Sequence, residues 1–255
     1  MCGRFTLTTP AEQLASLFDV IVPNELPPRY NVAPSQPVAV VRPAQGGSGG
    51  REFALLRWGL IPSWAREEKI GSRLINARVE TAAERPAFRD AFRSRRCLIA
   101  ADGFFEWKPQ DRRKQPYLVR RPDGKPFAFA GLWERWRPPR GEPVETCAIL
   151  TTEAVGAPRE IHPRMPVILP PEAFAEWLGG GPLSPERAQA LAWAGAELVA
   201  TPVSAAVNDA RFDGIQCIQP AGDDGAALAG DLPRRKRPRP PADQPGLFDN
   251  ESGLR

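Results

Sequence analysis

What this 255-residue chain has little of narrows its chemistry first. It contains one histidine, His162, and four cysteines, Cys2, Cys97, Cys147 and Cys217, with no C-x-x-C pair among them. Zinc and non-haem iron centres draw on several histidines or on closely spaced cysteines, so no metal ligand or other cofactor site is expected. No apolar run reaches the roughly 18 residues that a membrane-spanning helix needs. The opening MCGRFTLTTP has neither the basic start nor the apolar centre of a secretory signal, so the chain reads as cytoplasmic, with reduced thiols. No internal repeat is present.

Net charge is nearly absent from the body. The formal charge is +4, from 34 basic and 30 acidic residues, but six basic and three acidic residues lie between Pro233 and Arg255. The first 232 residues therefore hold 28 basic against 27 acidic groups. Any affinity of the body for nucleic acid must come from local patches instead of the overall balance. One patch stands out, RPAFRDAFRSRR. Arg85, Arg89, Arg93 and Arg96 recur there at helical spacing opposite Phe88 and Phe92, the pattern of a solvated face over two core aromatics.

What is abundant is proline. Thirty prolines make about 12% of the chain, more than twice average usage, and predict many loops and edge strands. Thr9-Pro10 with Glu12 predicts a capping box and a helix from Pro10 to about Asp19; Thr81 and Glu84 repeat the signal for the arginine helix, with Pro86 in its first turns. PVAVV, EFALLRWGL, CLIAA, PYLVRR, PFAFAGLW, ETCAILTT and ELVATPVS read as strands. AQGGSGG reads as a hairpin loop between the first two, and Asp123-Gly124 as a hairpin turn between the middle pair. PPEAFAEWL and SPERAQALAWA predict two late helices. The expected fold is one α+β domain with a mainly antiparallel, barrel-like sheet flanked by helices, over residues 1–220. Residues 221–255 lose all periodicity and read as a disordered basic, proline-rich tail.

Cys2 carries the sharpest chemistry. Removal of Met1, which small second residues permit, would make it the N-terminus and so a 1,2-aminothiol. Its amine, near 7.7–8.0 when unperturbed, and its thiol, near 8.5, would then sit on adjacent atoms. Such a pair captures aldehydes: the amine forms a Schiff base and the sulfur closes a thiazolidine. The start MCG alone also resembles glutamine amidotransferases that use an N-terminal cysteine, but their downstream arginine, asparagine-glycine and aspartate motifs are missing.

A different ordered series is present: CGRF at 2–5, RYNVAPSQ at 29–36, RWGLIPSW at 57–64, NARVET at 76–81 and RCLIAADGFFEW at 96–107. It continues with FAGLWE at 129–134, ILTTEA at 149–154, IHPRMPVIL at 161–169 and VSAAVN at 203–208. This series resembles the SOS response-associated peptidase family, whose members are abasic site processing proteins. The resemblance implies a protein that binds single-stranded DNA at an abasic site and crosslinks itself to the ring-opened sugar. It implies Cys2 as nucleophile, Glu106 and His162 as the acid/base pair, and Asn76 orienting Cys2 or the sugar. Arg4 and Arg78 would contact phosphates, while Trp58 and Trp64 would face the nucleic-acid cleft. Phe105 departs from the tyrosine often found in the family's GFYEW.

The residue types suit that chemistry on their own terms. Opening a closed sugar hemiacetal moves a proton between ring oxygen and hydroxyl, which a carboxylate such as Glu106 can do, and a setting among aromatics would raise its pKa. Carbinolamine dehydration needs a second acid/base, and His162 is the one imidazole. Sequence-tolerant binding of single strands needs cations and stacking faces; Trp58, Trp64, Trp107, Trp133 and Phe104, with Arg57, Arg73 and Arg78, are the candidates. Two other readings stay open: a non-catalytic single-stranded DNA binding module and an N-terminal-cysteine hydrolase. In the tail, Gln244, Leu247 and Phe248 resemble a peptide that docks on the bacterial sliding clamp. The chain is expected to act as a monomer near the nucleoid.

Overall fold

The structure, a computed structural model, describes residues 2–45, 49–111, 113–193 and 197–222. Among the described residues, thirteen strands form two sheets. The first holds five antiparallel strands: β1 (Phe5–Leu7), β2 (Arg29–Val32), β7 (Gly103–Gln110), β8 (Arg113–Arg120) and β13 (Val199–Pro202), in the order β13-β8-β7-β1-β2. The second is built on β3 (Pro37–Pro43), β4 (Arg51–Trp58), β6 (Arg96–Ala101), β9 (Phe127–Trp136) and β10 (Val144–Glu153). In it β3 pairs with β4 and with β6, β6 with β9, and β9 with β10. A parallel pairing of β10 with β4 closes the ring into a five-stranded barrel. Short strands β5 (Asn76–Arg78), β11 (Arg164–Pro166) and β12 (Ile168–Leu169) attach to its rim.

Strands β3, β6 and the first half of β9 read as apolar runs because both of their faces are covered, whereas β4 is only partly covered and carries charges. Val38, Val40, Cys97, Ile99, Phe129, Cys147 and Ile149 face one core, shared with Phe5 and Phe104 of the first sheet. The intervening Ala39, Val41, Leu98, Ala100, Ala130 and Leu150 face the other, filled by helix residues such as Leu14, Phe18, Phe92 and Trp177. Gly131 lets the strands close up: a Cβ there would lie 2.9 Å from both Cys97 Sγ and Ile99 Cδ1. The α+β, barrel-like expectation holds, as does the pairing of the strands that flank AQGGSGG.

Several local expectations fail for identifiable reasons. The first helix, α1, spans Ala11–Phe18 as foreseen, but Pro10 is its N-cap and no side chain caps it. Thr9 instead donates its hydroxyl to Asp102, as do Thr6 and Thr8, because the carboxylate is a strong charged acceptor that draws these hydroxyls away from the helix N–H groups. The Thr81 signal opens no long helix: α2 is only Val79–Ala82, and α3, Arg89–Ser94, starts afresh beyond Pro86. Arg96 leaves the solvated arginine face. It is 3% exposed and donates to carbonyls of Phe92, Arg93, Trp177, Gly179 and Gly181. Asp123-Gly124 makes a turn, yet β8 and β9 do not form a hairpin; β8 pairs with β7 and β13, and β9 belongs to the barrel. The late helices are α4 (Phe174–Leu178) and α5 (Pro185–Ala190). Most of the proposed tail, 223–255, lies outside the described residues.

Candidate active site

The two sheets meet where the start of β1, the middle of β7, the edge strand β5 and the loop before β11 converge. Cys2 precedes β1 and is completely buried, with Sγ 3.7 Å from the Arg4 carbonyl. Its own carbonyl accepts a 2.7 Å hydrogen bond from Asn76 Nδ2. Asn76 is held by β5, which runs parallel to β10 with Asn76 opposite Ile149. The other amide atom, Asn76 Oδ1, is buried with no hydrogen-bond partner, an acceptor left open beside Cys2.

Glu106 enters from β7, opposite Tyr117 of β8, and is 3% exposed. Burial raises its pKa above the ordinary carboxyl value, and the nearby charge of His162 opposes that rise. Burial also pushes the Cys2 thiol well above its usual range, and the negative charge of Glu106 adds to the effect. These mutual influences mark Cys2, Glu106 and His162 as one electrostatic cluster that rests with both thiol and carboxyl biased toward their protonated forms.

His162 follows a short 3₁₀ turn, Ala157–Glu160, and its ring is fixed through Nδ1, 3.0 Å from both the nitrogen and the oxygen of Arg164. Arg164 in turn forks onto Glu80 with bonds of 2.7 and 2.9 Å and donates to the Thr151 carbonyl at 2.6 Å. Burial opposes ionisation of Glu80, but the Arg164 fork outweighs it and lowers its pKa. The loop that carries His162 is thus bolted to α2 and β10. Arg164 and Glu80 lie inside the motifs HPRMP and NARVET, yet nothing in their spacing announces that they pair across 84 residues.

The expected DNA-facing residues divide. Trp64 is 56% exposed above a cleft of about 550 Å³ lined by Arg66, Lys69 and Arg73. Its loop is placed by Gly59 and Gly71, whose backbones approach so closely that a Cβ on either would come within 2.8 Å of the other's carbonyl oxygen. Arg78 is exposed beside Asn76, and Arg85, Arg89 and Arg93 are exposed on the segment beyond. Trp58 does not face a cleft: it is completely buried against Phe5 and donates to the Ile75 carbonyl at 2.8 Å. Phe104 is buried too, Trp133 lies under the Arg42 guanidinium, and Trp107 bonds Asn208. Arg57 pairs with Glu68. Arg4 turns inward, donating to Asn31 Oδ1 at 3.0 Å and to the Val207 carbonyl at 2.8 Å.

A closed five-stranded barrel joined to an antiparallel sheet, with a buried cysteine and carboxyl and a half-buried imidazole at the seam, defines the class. The family described as SOS response associated peptidase (SRAP) matches residues 1–210, and the chain belongs to it. It is 41% identical over 225 residues to the abasic site processing protein YoqW of Bacillus subtilis, covering 86% of this chain and 99% of that one. The abasic site processing protein YedK of Escherichia coli is 34% identical over 233 residues, covering 86% and 100%. The abasic site processing protein HMCES of Rattus norvegicus is 30% identical over 269 residues, covering 87% and 76%. A crystal structure of a Bacteroides thetaiotaomicron protein superposes with a TM-score of 0.73 at 27% identity, covering 86% of this chain and all of that one. Among the described residues no helix is long and apolar enough to cross a membrane.

Proposed function

We propose that this protein handles abasic sites in single-stranded DNA by forming a covalent thiazolidine with the ring-opened sugar through Cys2, once Met1 is removed. The observation that supports this most is the grouping of Cys2 with Asn76, Glu106 and His162. Names borne by the relatives, abasic site processing proteins, point the same way.

The chemistry balances with these groups alone. The Glu106 carboxyl gives a proton to the sugar ring oxygen and takes one from the C1 hydroxyl, opening the hemiacetal to an aldehyde. The Cys2 amine adds to C1, giving a carbinolamine. Protonation of its hydroxyl by His162 releases one water and leaves a protonated Schiff base. The thiol sulfur then bonds to C1, and the thiol proton passes by way of the Glu106 carboxyl back to His162, closing the five-membered ring with a neutral N–H and restoring both acid/base groups. The raised pKa values fit this order: burial biases Glu106 toward its acid form, and the thiol stays protonated until the last step. The open acceptor Asn76 Oδ1 suits a sugar hydroxyl or the freed amine.

Single-strand binding rests, in this reading, on Trp64 as a stacking platform with Arg78, Arg73 and the exposed arginines beyond Pro86 as phosphate contacts. The protein works as a monomer close to the nucleoid. Its tail, which lies outside the described residues, offers Gln244, Leu247 and Phe248 to the sliding clamp. A Leu247→Ala, Phe248→Ala tail peptide that still captures purified clamp removes that contact.

The deciding experiment incubates the Met-processed protein with a single-stranded oligonucleotide carrying one abasic site. A heat-stable adduct that Cys2→Ala abolishes and His162→Ala slows is expected. DNA binding without an adduct would leave a non-catalytic binding module. Glutamine or peptide turnover without an adduct would leave an N-terminal-cysteine hydrolase.

A further inference from the structure

The residues from Val203 to Pro220 form a closed loop, its ends paired with each other and Ser204 bonded to the Gln219 carbonyl at 3.0 Å. Loops of this kind carry their own packing, and here two 3₁₀ turns, Ala205–Asn208 and Ile215–Ile218, press Val207 and Cys217 against Phe105, Leu118 and Tyr30. The loop meets the N-terminal segment at Asn31 and Arg4 on its inner side and at Asp213 on its outer side. Asn31 of β2 is completely buried, and its Nδ2 faces the carbonyls of Phe212 at 2.7 Å, Asp209 at 3.0 Å and Val207 at 3.3 Å. Its Oδ1 accepts from Arg4, whose guanidinium also takes the Val207 carbonyl. Asp213 locks the same strand from outside by accepting from the backbone nitrogens of Tyr30 and Asn31 and pairing with Arg29.

Arg4 is two residues from Cys2. Its carbonyl faces the Cys2 sulfur and accepts from the backbone N–H of Phe105, the residue before Glu106. Side chain and main chain of Arg4 therefore tie three things together: the 203–220 loop, the nucleophile and the strand that carries the acid/base carboxyl. With its Nη1 spent on a buried amide oxygen and a backbone carbonyl, the half-buried guanidinium is turned toward the loop instead of out toward phosphates.

We propose that Arg4 and Asn31 are positioning residues that use the 203–220 loop as a brace to hold Cys2 against Glu106, and that Arg4 is not a phosphate contact. This deepens the covalent reading above and rests on it. Displacing reacting groups by about 1 Å can cost about 100-fold in rate without touching binding, and that is the effect the brace prevents. A phosphate contact would behave oppositely, weakening binding and lowering the log–log salt slope by about 0.7.

The test uses the full-length, Met-processed protein and a single-stranded abasic oligonucleotide, measuring adduct rate at saturating DNA, dissociation constant on an unmodified strand of the same length, and the salt dependence of that constant. Arg4→Gln is expected to lower the saturating rate about 10- to 100-fold while dissociation constant and salt slope stay near wild type, with Arg4→Lys recovering part of the rate. Asn31→Asp keeps an oxygen toward Arg4 and loses the amide hydrogens that face the loop, and should show the same split; it decides the matter if Arg4→Gln does not fold. A saturating rate that holds at wild-type level, or a salt slope that falls while the saturating rate holds, overturns the proposal. A wild-type protein that forms no adduct counts against the covalent reading itself, whereas a wild-type adduct with unchanged variant rates counts against the brace alone.

Discussion

Glu106→Gln separates what burial costs the fold from what the carboxyl does in the chemistry. The side chain is 3% exposed and burial raises its pKa, so the folded protein binds its proton more tightly than the unfolded chain, where glutamate titrates near 4.3. The sign follows. Glu106 contributes its full stability below the unfolded value, and that contribution is lost as pH rises through the higher folded value. Glutamine keeps nearly the same shape and carries no charge at any pH. Relieving a buried carboxylate is worth about 1–2 kcal/mol, and a domain of this size moves about 2–4 °C in Tm per kcal/mol. At pH 8 Glu106→Gln should therefore melt several degrees above wild type, and the gap should close as the pH approaches 4. The adduct rate should move the other way, falling about 10²- to 10⁴-fold for loss of a general acid/base. Thermal melts from pH 4 to 8, paired with single-turnover adduct formation, read both effects on one protein. A variant that melts below wild type at pH 8, with a gap that widens as pH rises, would mean that His162 holds Glu106 as a stabilised carboxylate, and the proton-donor role assigned to it would fail.

Three further outcomes follow from the packing. Trp58→Ala should destabilise by about 3–5 kcal/mol in thermal or denaturant unfolding, because it empties a fully buried site, whereas Trp64→Ala should leave Tm nearly unchanged and weaken single-strand binding by about 1–3 kcal/mol in fluorescence anisotropy. Arg96→Met strands buried carbonyls of Trp177, Phe92, Arg93 and Gly181 and should cost at least about 3 kcal/mol by denaturant melts. Gly71→Ala drives a methyl to 2.7 Å from the Gly59 carbonyl, and the resulting shift of the Trp64 loop should lower stability by about 1–3 kcal/mol and weaken DNA binding with it.

How far the chain could be read in advance depended on where the deciding contact lies. The barrel strands were legible because burial on both faces writes itself as an unbroken apolar run, as in PVAVV and CLIAA. Strands β1, β2, β5, β11 and β12 have only two to four residues and exist through their pairing, so no local pattern announces them. Asp123-Gly124 shows the limit from the other side: the turn chemistry was correct, but a turn does not name the partner of the strand that follows, and β8 found better neighbours in β7 and β13. The same distinction runs through the site. Cys2, Asn76, Glu106 and His162 could be singled out because the proposed covalent reaction with an aldehyde restricts the residue types, and a resemblance in ordered motifs points to particular copies. The environment of a given arginine or tryptophan carries no such restriction. Trp58 and Trp64 share one motif six residues apart, yet one closes a core and the other meets solvent. Arg4 reads as a cation near a nucleophile, and its bonds to Asn31 and to the Val207 carbonyl, 203 residues away, make it a strut instead. Residue chemistry is therefore the part of this site that a sequence can state, and the direction in which a long polar side chain is spent is the part that folding decides.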